Sequence, residues 1–307
     1  MSKSTALQES TAHINIIGSG KLGRTLVRLF TDHQLLQPGD FYNRSPQHSR
    51  AAVEFCGGGR ICHALTEMDD AQIWLIATPD DAIAEVARAL ASSGKSWANT
   101  VVFHASGLHS SALLEPLKSK GAAVASAHPV HSFAEPQQSL SSYTGTACTI
   151  EGDSLATERL STLFAQIGST VIPVTEDGKA LYHAATVVAA NYLVALQQVA
   201  LDMLEQAGIA QQDAEQILQP LMAQSLQNTR QNKPVKALTG PISRGDVATI
   251  AKHLDAIAEL IPQHTILYQE LGKVAVELAR QQKHLDETQL AAMMALFAPR
   301  SDGPGTT

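Results

Sequence analysis

The chain has 307 residues, 44% of them apolar and 17% charged, and a formal net charge of −7. This is ordinary globular composition with material for about two domains, and the negative balance argues against a broad nucleic-acid-binding surface. Cys56, Cys62 and Cys148 stand at unrelated spacings, which suggests neither a disulfide framework nor a zinc cluster and points to reduced thiols in the cytoplasm. Met1–Ala12 is polar and lacks an apolar core, so no signal peptide is expected. No uninterrupted apolar stretch reaches the ~18 residues of a membrane helix, so no membrane span is expected. The Gly-, Pro- and Thr-rich tail Pro299–Thr307 is expected to be disordered.

In chain order, His13–Ile17 reads as a strand and Lys21–Thr31 as a helix. Asp40–Asn43 is a second strand, and Gln72–Ala77 is a buried strand followed by Thr78-Pro79-Asp80 and a helix through Leu90. Strand Thr100–Phe103, a helix near Ser110–Ser119 and strand Ala122–Ala127 follow. Alternation of this kind predicts βαβ units and a parallel sheet. Ala147–Glu151, a helix at Ser154–Ile167 and Thr170–Val174 extend that sheet. Past Thr175 the apolar residues recur at helical spacing from Gly178 to Glu205, with Gly208 as a stop. Helices are then expected at about Gln211–Arg230, Asp246–Leu260, Pro262–Gln282 and Glu287–Phe297. The predicted class is α/β plus all-α: a doubly wound, mostly parallel domain over 1–175 and an all-helical substrate and dimerisation domain over 176–307.

Ile14–Gly23 reads INIIGSGKLG, so Gly18, Gly20 and Gly23 form G-x-G-x-x-G directly after a strand and at the start of a helix. Such a loop brings backbone N–H groups, here of Gly18, Ser19, Gly20, Lys21, Leu22 and Gly23, to a pyrophosphate at the positive end of the helix dipole. The second strand distinguishes the cofactors. An acid at its end accepts bonds from the ribose 2′-hydroxyl of NAD. Here the residues are Asn43-Arg44-Ser45. A guanidinium and a hydroxyl suit a 2′-phosphate instead, which favours NADP(H), with His48 and Arg50 as lesser contributors. Thr78 and Pro79 either pack over the cofactor ribose or form a plain turn capped by Asp80.

The remaining candidates lie at strand ends and in the helical half. Ser106, in His104-Ala105-Ser106-Gly107, either bonds cofactor or substrate or caps the next helix. His128, and less so His131, in HPVHSF can orient or protonate a substrate oxygen. Lys179 opens the long helix with His183 four residues on, and an ammonium there can stabilise an oxyanion or donate a proton. Asn191 is about 18 Å further along the axis at 1.5 Å per residue, so the three cannot meet at one atom. In Leu238–Asp246 (LTGPISRGD), Thr239 and Arg244 can bind a carboxylate, and Asp246 joins them or caps the next helix.

The set GSGKLG, FYNRS, ATPD, HASG, HPVHSF, KALYHAATVVAAN and LTGPISRGD resembles the bacterial Rossmann-like proteins that carry a helical C-terminal domain of unknown function (the 2520 type). That family is similar to the 6-phosphogluconate dehydrogenase-like group, which includes ketopantoate reductase, 3-hydroxyisobutyrate dehydrogenase, pyrroline-5-carboxylate reductase and prephenate dehydrogenase. The resemblance implies NADP(H), a homodimer through the helical domain, and chemistry at the cleft between the domains. Lys179 matches the group's catalytic lysine. The position of its asparagine one turn later holds His183, and the next turn holds Val187. His128-Pro129 resembles a segment near substrate in prephenate dehydrogenases.

Together these readings predict hydride transfer between NADPH and a small carbonyl compound bearing a carboxylate, a ketopantoate-like 2-oxo acid being the first candidate. Lys179 or His128 would protonate the alkoxide and Arg244 would hold the carboxylate. The alternatives are cyclic imine reduction, as in pyrroline-5-carboxylate reductases, and a non-catalytic NADP(H) sensor.

Overall fold

The computed structural model describes residues 12–298; the expectations for the extreme N-terminus and for Pro299–Thr307 fall outside them. The chain forms two compact units, one reaching Val188 and one starting at Ala189.

In the first unit the elements alternate as the sequence pattern requires. They are β1 (His13–Ile17), α1 (Lys21–Asp32), β2 (Gln37–Tyr42), α2 (Pro46–Cys56), β3 (Arg60–Cys62), β4 (Ile73–Ile76) and α3 (Ile83–Ala91). There follow β5 (Val101–His104), α4 (Glu115–Lys118), β6 (Ala123–Pro129), α5 (Pro136–Ser142), β7 (Ala147–Gly152), α6 (Ser154–Gln166) and β8 (Thr170–Pro173). The eight strands form one sheet in the order β3-β2-β1-β4-β5-β6-β7-β8. All neighbours are parallel except β6 and β7. The order reverses between β1 and β4, and the crevice at such a switch point is where doubly wound sheets bind ligands.

Helices on both faces explain why the central strands are apolar without alternation. Ile14, Ile16, Ile73, Leu75, Val101 and Phe103 pack under α1 and α6, where Phe164 meets Phe30 and Phe103 edge-on at centroid distances of 5.5 and 6.1 Å. Ile17, Trp74, Ile76 and Val102 pack on the opposite face against Ile83, Ala87 and Leu90 of α3. Removing one of these large side chains costs about 2–5 kcal/mol in a core of this kind.

The sequence reading missed β3, α2 and α5. It also began β2 late, at Asp40 rather than Gln37. Beyond β8 a long helix, α7 (Lys179–Gln206), runs from the sheet unit into the second unit. The expected boundary near Thr175 lies between β8 and α7. The compact division falls later, at 188/189, inside α7.

The second unit continues with α8 (Gln211–Gln231), α9 (Pro234–Ala237), α10 (Val247–Leu260), α11 (Thr265–Gln282) and α12 (Glu287–Leu296). Its core joins Ile250 and Leu254 of α10 to Val276 and Ala279 of α11 and to Leu290 and Met293 of α12. Asp286 and Gln289 form a reciprocal capping box at the start of α12. By length and composition α7 could cross a membrane, with a mean hydropathy of 1.5 over 18 residues. It holds no uninterrupted apolar run of that length, because Asn191, Gln197 and Gln198 break it.

Candidate active site

A cleft of about 540 Å³ opens at the switch point, lined by Ile17, Gly18 and Gly20, by Tyr42 to Ser45, by Thr78 and Pro79, and by His48. The glycine loop builds its floor. Gly18 has φ +85°, and a Cβ there would sit 2.7 Å from the Ala77 carbonyl and the Thr78 nitrogen, so no other residue fits. Among the described residues nothing lies within 4 Å of a Cβ placed on Gly20, so the loop is open there. No side chain caps α1, which leaves first-turn N–H groups to an incoming anion. Leu22 is half-buried and Gly23 buried in the first turn.

Asn43 lines the cleft and is also bonded within the protein. Its Oδ1 accepts from Ser19 N at 2.7 Å, and its Nδ2 donates to the Ser19 and Ser49 hydroxyls at 2.6 and 2.9 Å. It thus pins the glycine loop to the end of β2. Lys21 extends elsewhere, donating to the Ala134 carbonyl at 2.6 Å. Arg44 is exposed on the cleft wall beside Ser45, with no hydrogen bond or ion pair to another described residue. The Thr78 hydroxyl is buried and has no hydrogen-bond partner among the described residues. An open cradle of amides, an unpaired guanidinium and an orphaned hydroxyl fit a phosphorylated dinucleotide.

A second constellation gathers at the carboxyl ends of β5 and β6 and the first turns of α7, all within the sheet unit. Lys179 is 1% exposed. Its Nζ donates to the Ser106 carbonyl at 2.9 Å and to the Ser126 hydroxyl, and Ser126 in turn donates to the same carbonyl at 3.2 Å. Burial pushes the lysine's pKa down, and the Glu151 and Asp80 charges pull it back up. His128 accepts or donates through Nδ1 at the Tyr182 hydroxyl, 2.7 Å away, and the two rings meet edge-on. His183 lies on the other side of His128 at a centroid distance of 6.2 Å. Gly107 makes this packing possible: a Cβ would stand 2.5 Å from His183 and 2.9 Å from His128. Burial, the Lys179 charge and His183 lower the His128 pKa to about 4, so the ring is neutral at pH 7.

Ser106 joins this cluster to the cofactor side through internal bonds. Its hydroxyl donates to Asp80 at 2.7 Å and accepts from the Leu108 and His109 nitrogens. Its own nitrogen donates to His104 Nδ1. Ser106 thus closes a local turn and does not cap the next helix, whose N-cap is Ser110. His131 stands apart, packed on Phe133 and Tyr143. Tyr182 is not among the residues expected from the sequence, although it lies three residues after Lys179 and hence on the same helix face. Nor is Ser126, whose partner Lys179 is 53 residues away.

In the second unit the LTGPISRGD loop is held from below. Gln282 donates to the Val235 and Leu238 carbonyls and accepts from the Ser243 hydroxyl, while His284 bonds the Ser243 carbonyl. Thr239 and Arg244 are left exposed, and Arg244 makes no side-chain bond to another described residue. Asp246 caps α10, accepting from Thr249 N at 3.1 Å and from its hydroxyl at 2.7 Å. Asn191 is exposed on α7.

Comparison with known proteins agrees with this architecture. A Rossmann-like domain matches residues 1–129, and a domain of unknown function (DUF2520) matches residues 146–275. A search of curated proteins yields no match. Among solved structures, a Thermotoga maritima protein aligns at 26% identity with a TM-score of 0.70, covering 88% of this chain and all of its own. A Bacteroides fragilis protein provisionally named an NADP oxidoreductase aligns at 20% identity and TM-score 0.67, covering 89% of this chain and 98% of its own. An Aspergillus terreus reductive aminase in complex with NADPH and ethyl-5-oxohexanoate shares the fold at 15% identity and TM-score 0.58, covering 94% and 93%. The chain thus belongs to the Rossmann-like proteins that carry a DUF2520 domain behind the nucleotide-binding fold.

Proposed function

We propose that the chain is an NADP(H)-dependent oxidoreductase that moves hydride to or from a small carboxylate-bearing substrate. The observation that carries this reading is Arg44, unpaired among the described residues beside Ser45 on the wall of an open glycine cradle and next to Asn43, which stands where an NAD site would place an acid. Gly18 to Gly23 would hold the pyrophosphate, Arg44 and Ser45 the 2′-phosphate, and Thr78 and Pro79 the adjoining ribose. When bound, the nicotinamide supplies or removes the hydride; the protein orients the partners and excludes water. Arg244, exposed on a braced loop, is a suitable carboxylate anchor.

The favoured acceptor is a carbonyl of the 2-oxo acid kind, as in ketopantoate. A specific observation supports a second reading, cyclic imine reduction. The Lys179 ammonium is buried and donates to two protein oxygens, so it is poorly available to an alkoxide, and imine reduction forms no alkoxide. A screen of NADPH oxidation over 2-oxo acids and cyclic imines tests the proposal. Consumption by either class is expected, and which class it is selects between them. NADPH binding with no consumption on either panel would favour a cofactor-sensing protein.

The exposed apolar side chains of the helices have a partner in this reading. Leu181, Val188, Tyr192 and Val194 of α7, Leu221 of α8, and Ile266 and Val274 of α11 are all exposed. Lipid is a poor occupant, because α7 also carries Asn191 and an Asp202 bonded to Gln198 and His264. A second copy of the chain offers the same exposed apolar side chains by symmetry. Light scattering should give a dimer mass; a monomer that requires detergent would contradict this. Three unpaired, buried thiols suit the reducing cytoplasm.

A further inference from the structure

The proton that must accompany hydride has two apparent sources in the sheet unit, and geometry separates them. Lys179 is enclosed, and to reach an outside oxygen it would have to break its bonds to the Ser106 carbonyl and the Ser126 hydroxyl. One turn along α7, Tyr182 is only half-buried. Its hydroxyl meets His128 Nδ1 at 2.7 Å and also lies against the Thr149 hydroxyl, which can donate to it, and the Nε2 of the His128 ring has no hydrogen-bond partner among the described residues. With Nδ1 protonated, the ring donates to the phenol oxygen, and the phenol's own proton is left to point outward.

We propose, on the basis of the reductase reading above, that Tyr182 is the proton donor to the reduced substrate and that His128 resupplies it, with Lys179 positioning the Ser106 turn and the start of α7. The substrate's C=X carbon gains the hydride, and its π electron pair moves onto X, an oxygen or nitrogen. The Tyr182 O–H bond breaks toward X, leaving the electron pair on the phenolate. His128 passes its Nδ1 proton to that oxygen while Nε2 takes one from water, and exchange with solvent then returns the ring to its Nδ1–H tautomer, so one hydride and one solvent proton are consumed per turnover. Burial raises the Tyr182 pKa and lowers that of His128. The phenol therefore starts protonated and the ring starts neutral, as a relay requires.

The test compares Tyr182→Phe with the wild type in three measurements. The first is NADPH affinity by fluorescence, expected to be unchanged. The second is kcat on whichever acceptor the wild type reduces, expected to fall roughly 100-fold or more with little change in KM. The third is the 15N spectrum of the His128 ring, whose Nδ1 resonance should move when the hydroxyl is removed. His128→Asn should lower kcat less, since it leaves the donor in place. If Tyr182→Phe stays within threefold of wild-type kcat, or leaves the His128 resonance unmoved, the proposal falls and the reductase reading stands. A wild type that binds NADPH yet reduces nothing on the panels overturns both.

Discussion

Acidification from pH 6.5 to pH 4 should cost the sheet unit several kcal/mol of stability and lower its melting temperature by roughly 10–20 °C. His104 and His128 carry this effect. Each has its pKa lowered to about 4, chiefly by burial. For His104 the geometry explains why. The ring is 0% exposed, Nε2 faces the Ser110 carbonyl at 3.0 Å and Nδ1 accepts from Ser106 N at 3.2 Å. Both nitrogens are therefore committed in the neutral tautomer, and a second proton would face the Ser106 N–H head-on. For His128 the nearby Lys179 charge adds to the desolvation.

The sign follows from linkage. Between the two pKa values the unfolded chain binds more protons than the folded one, so stability rises with pH. It is fully present above about 6.5 and is lost as pH falls toward 4. A depression of this size is worth about 3 kcal/mol per histidine. Thermal melts at successive pH values provide the measurement, and His104→Gln should flatten the curve by about half. A wild-type melting temperature that holds level between pH 6.5 and 4 would show that neither ring is held neutral.

Arg44→Ala should weaken NADPH binding roughly 10- to 100-fold and leave NADH binding nearly unchanged. A hydrogen bond to a charged group contributes about 1.5–3 kcal/mol, and a guanidinium engages a phosphate through two such bonds. The mutation leaves no orphan behind, because Arg44 has no partner among the described residues to abandon. The loss therefore reports the nucleotide contact and not a disturbed fold. Parallel titrations of the variant with both nucleotides check it. Equal weakening for the two would move Arg44 to the diphosphate or the adenine, and no weakening would make it a solvated charge.

Local signals carried the sheet unit far. The glycine fingerprint, the apolar runs at Ile73–Ile76 and Val101–Phe103, and the helical spacing after Gly178 are all short-range patterns, and each element formed where its pattern predicted. Other elements lacked such a pattern. β3 is only Arg60–Cys62, an edge strand too short to alternate, and α2 was obscured by the polar stretch after Pro46. β7 reads as a strand, but an apolar run says nothing about direction, so its antiparallel pairing with β6 was not visible.

The site was legible by residue and less so by role. Asn43 stands where the NAD-type acid would be, yet it serves the loop through Ser19 and Ser49. Lys179 matched a catalytic position, but its partners lie 73 and 53 residues away, and no spacing rule reveals that they enclose it. Tyr182 was hidden within an apolar helix stripe, where an aromatic residue is ordinarily core.

Calorimetric titration of the purified wild type with NADPH and NADH goes most directly to the nucleotide cleft. One NADPH per chain, bound at least tenfold tighter than NADH, is the expected result. Heat from neither nucleotide, or tighter binding of NADH, would contradict the assignment of the Gly18–Gly23 cradle and Arg44.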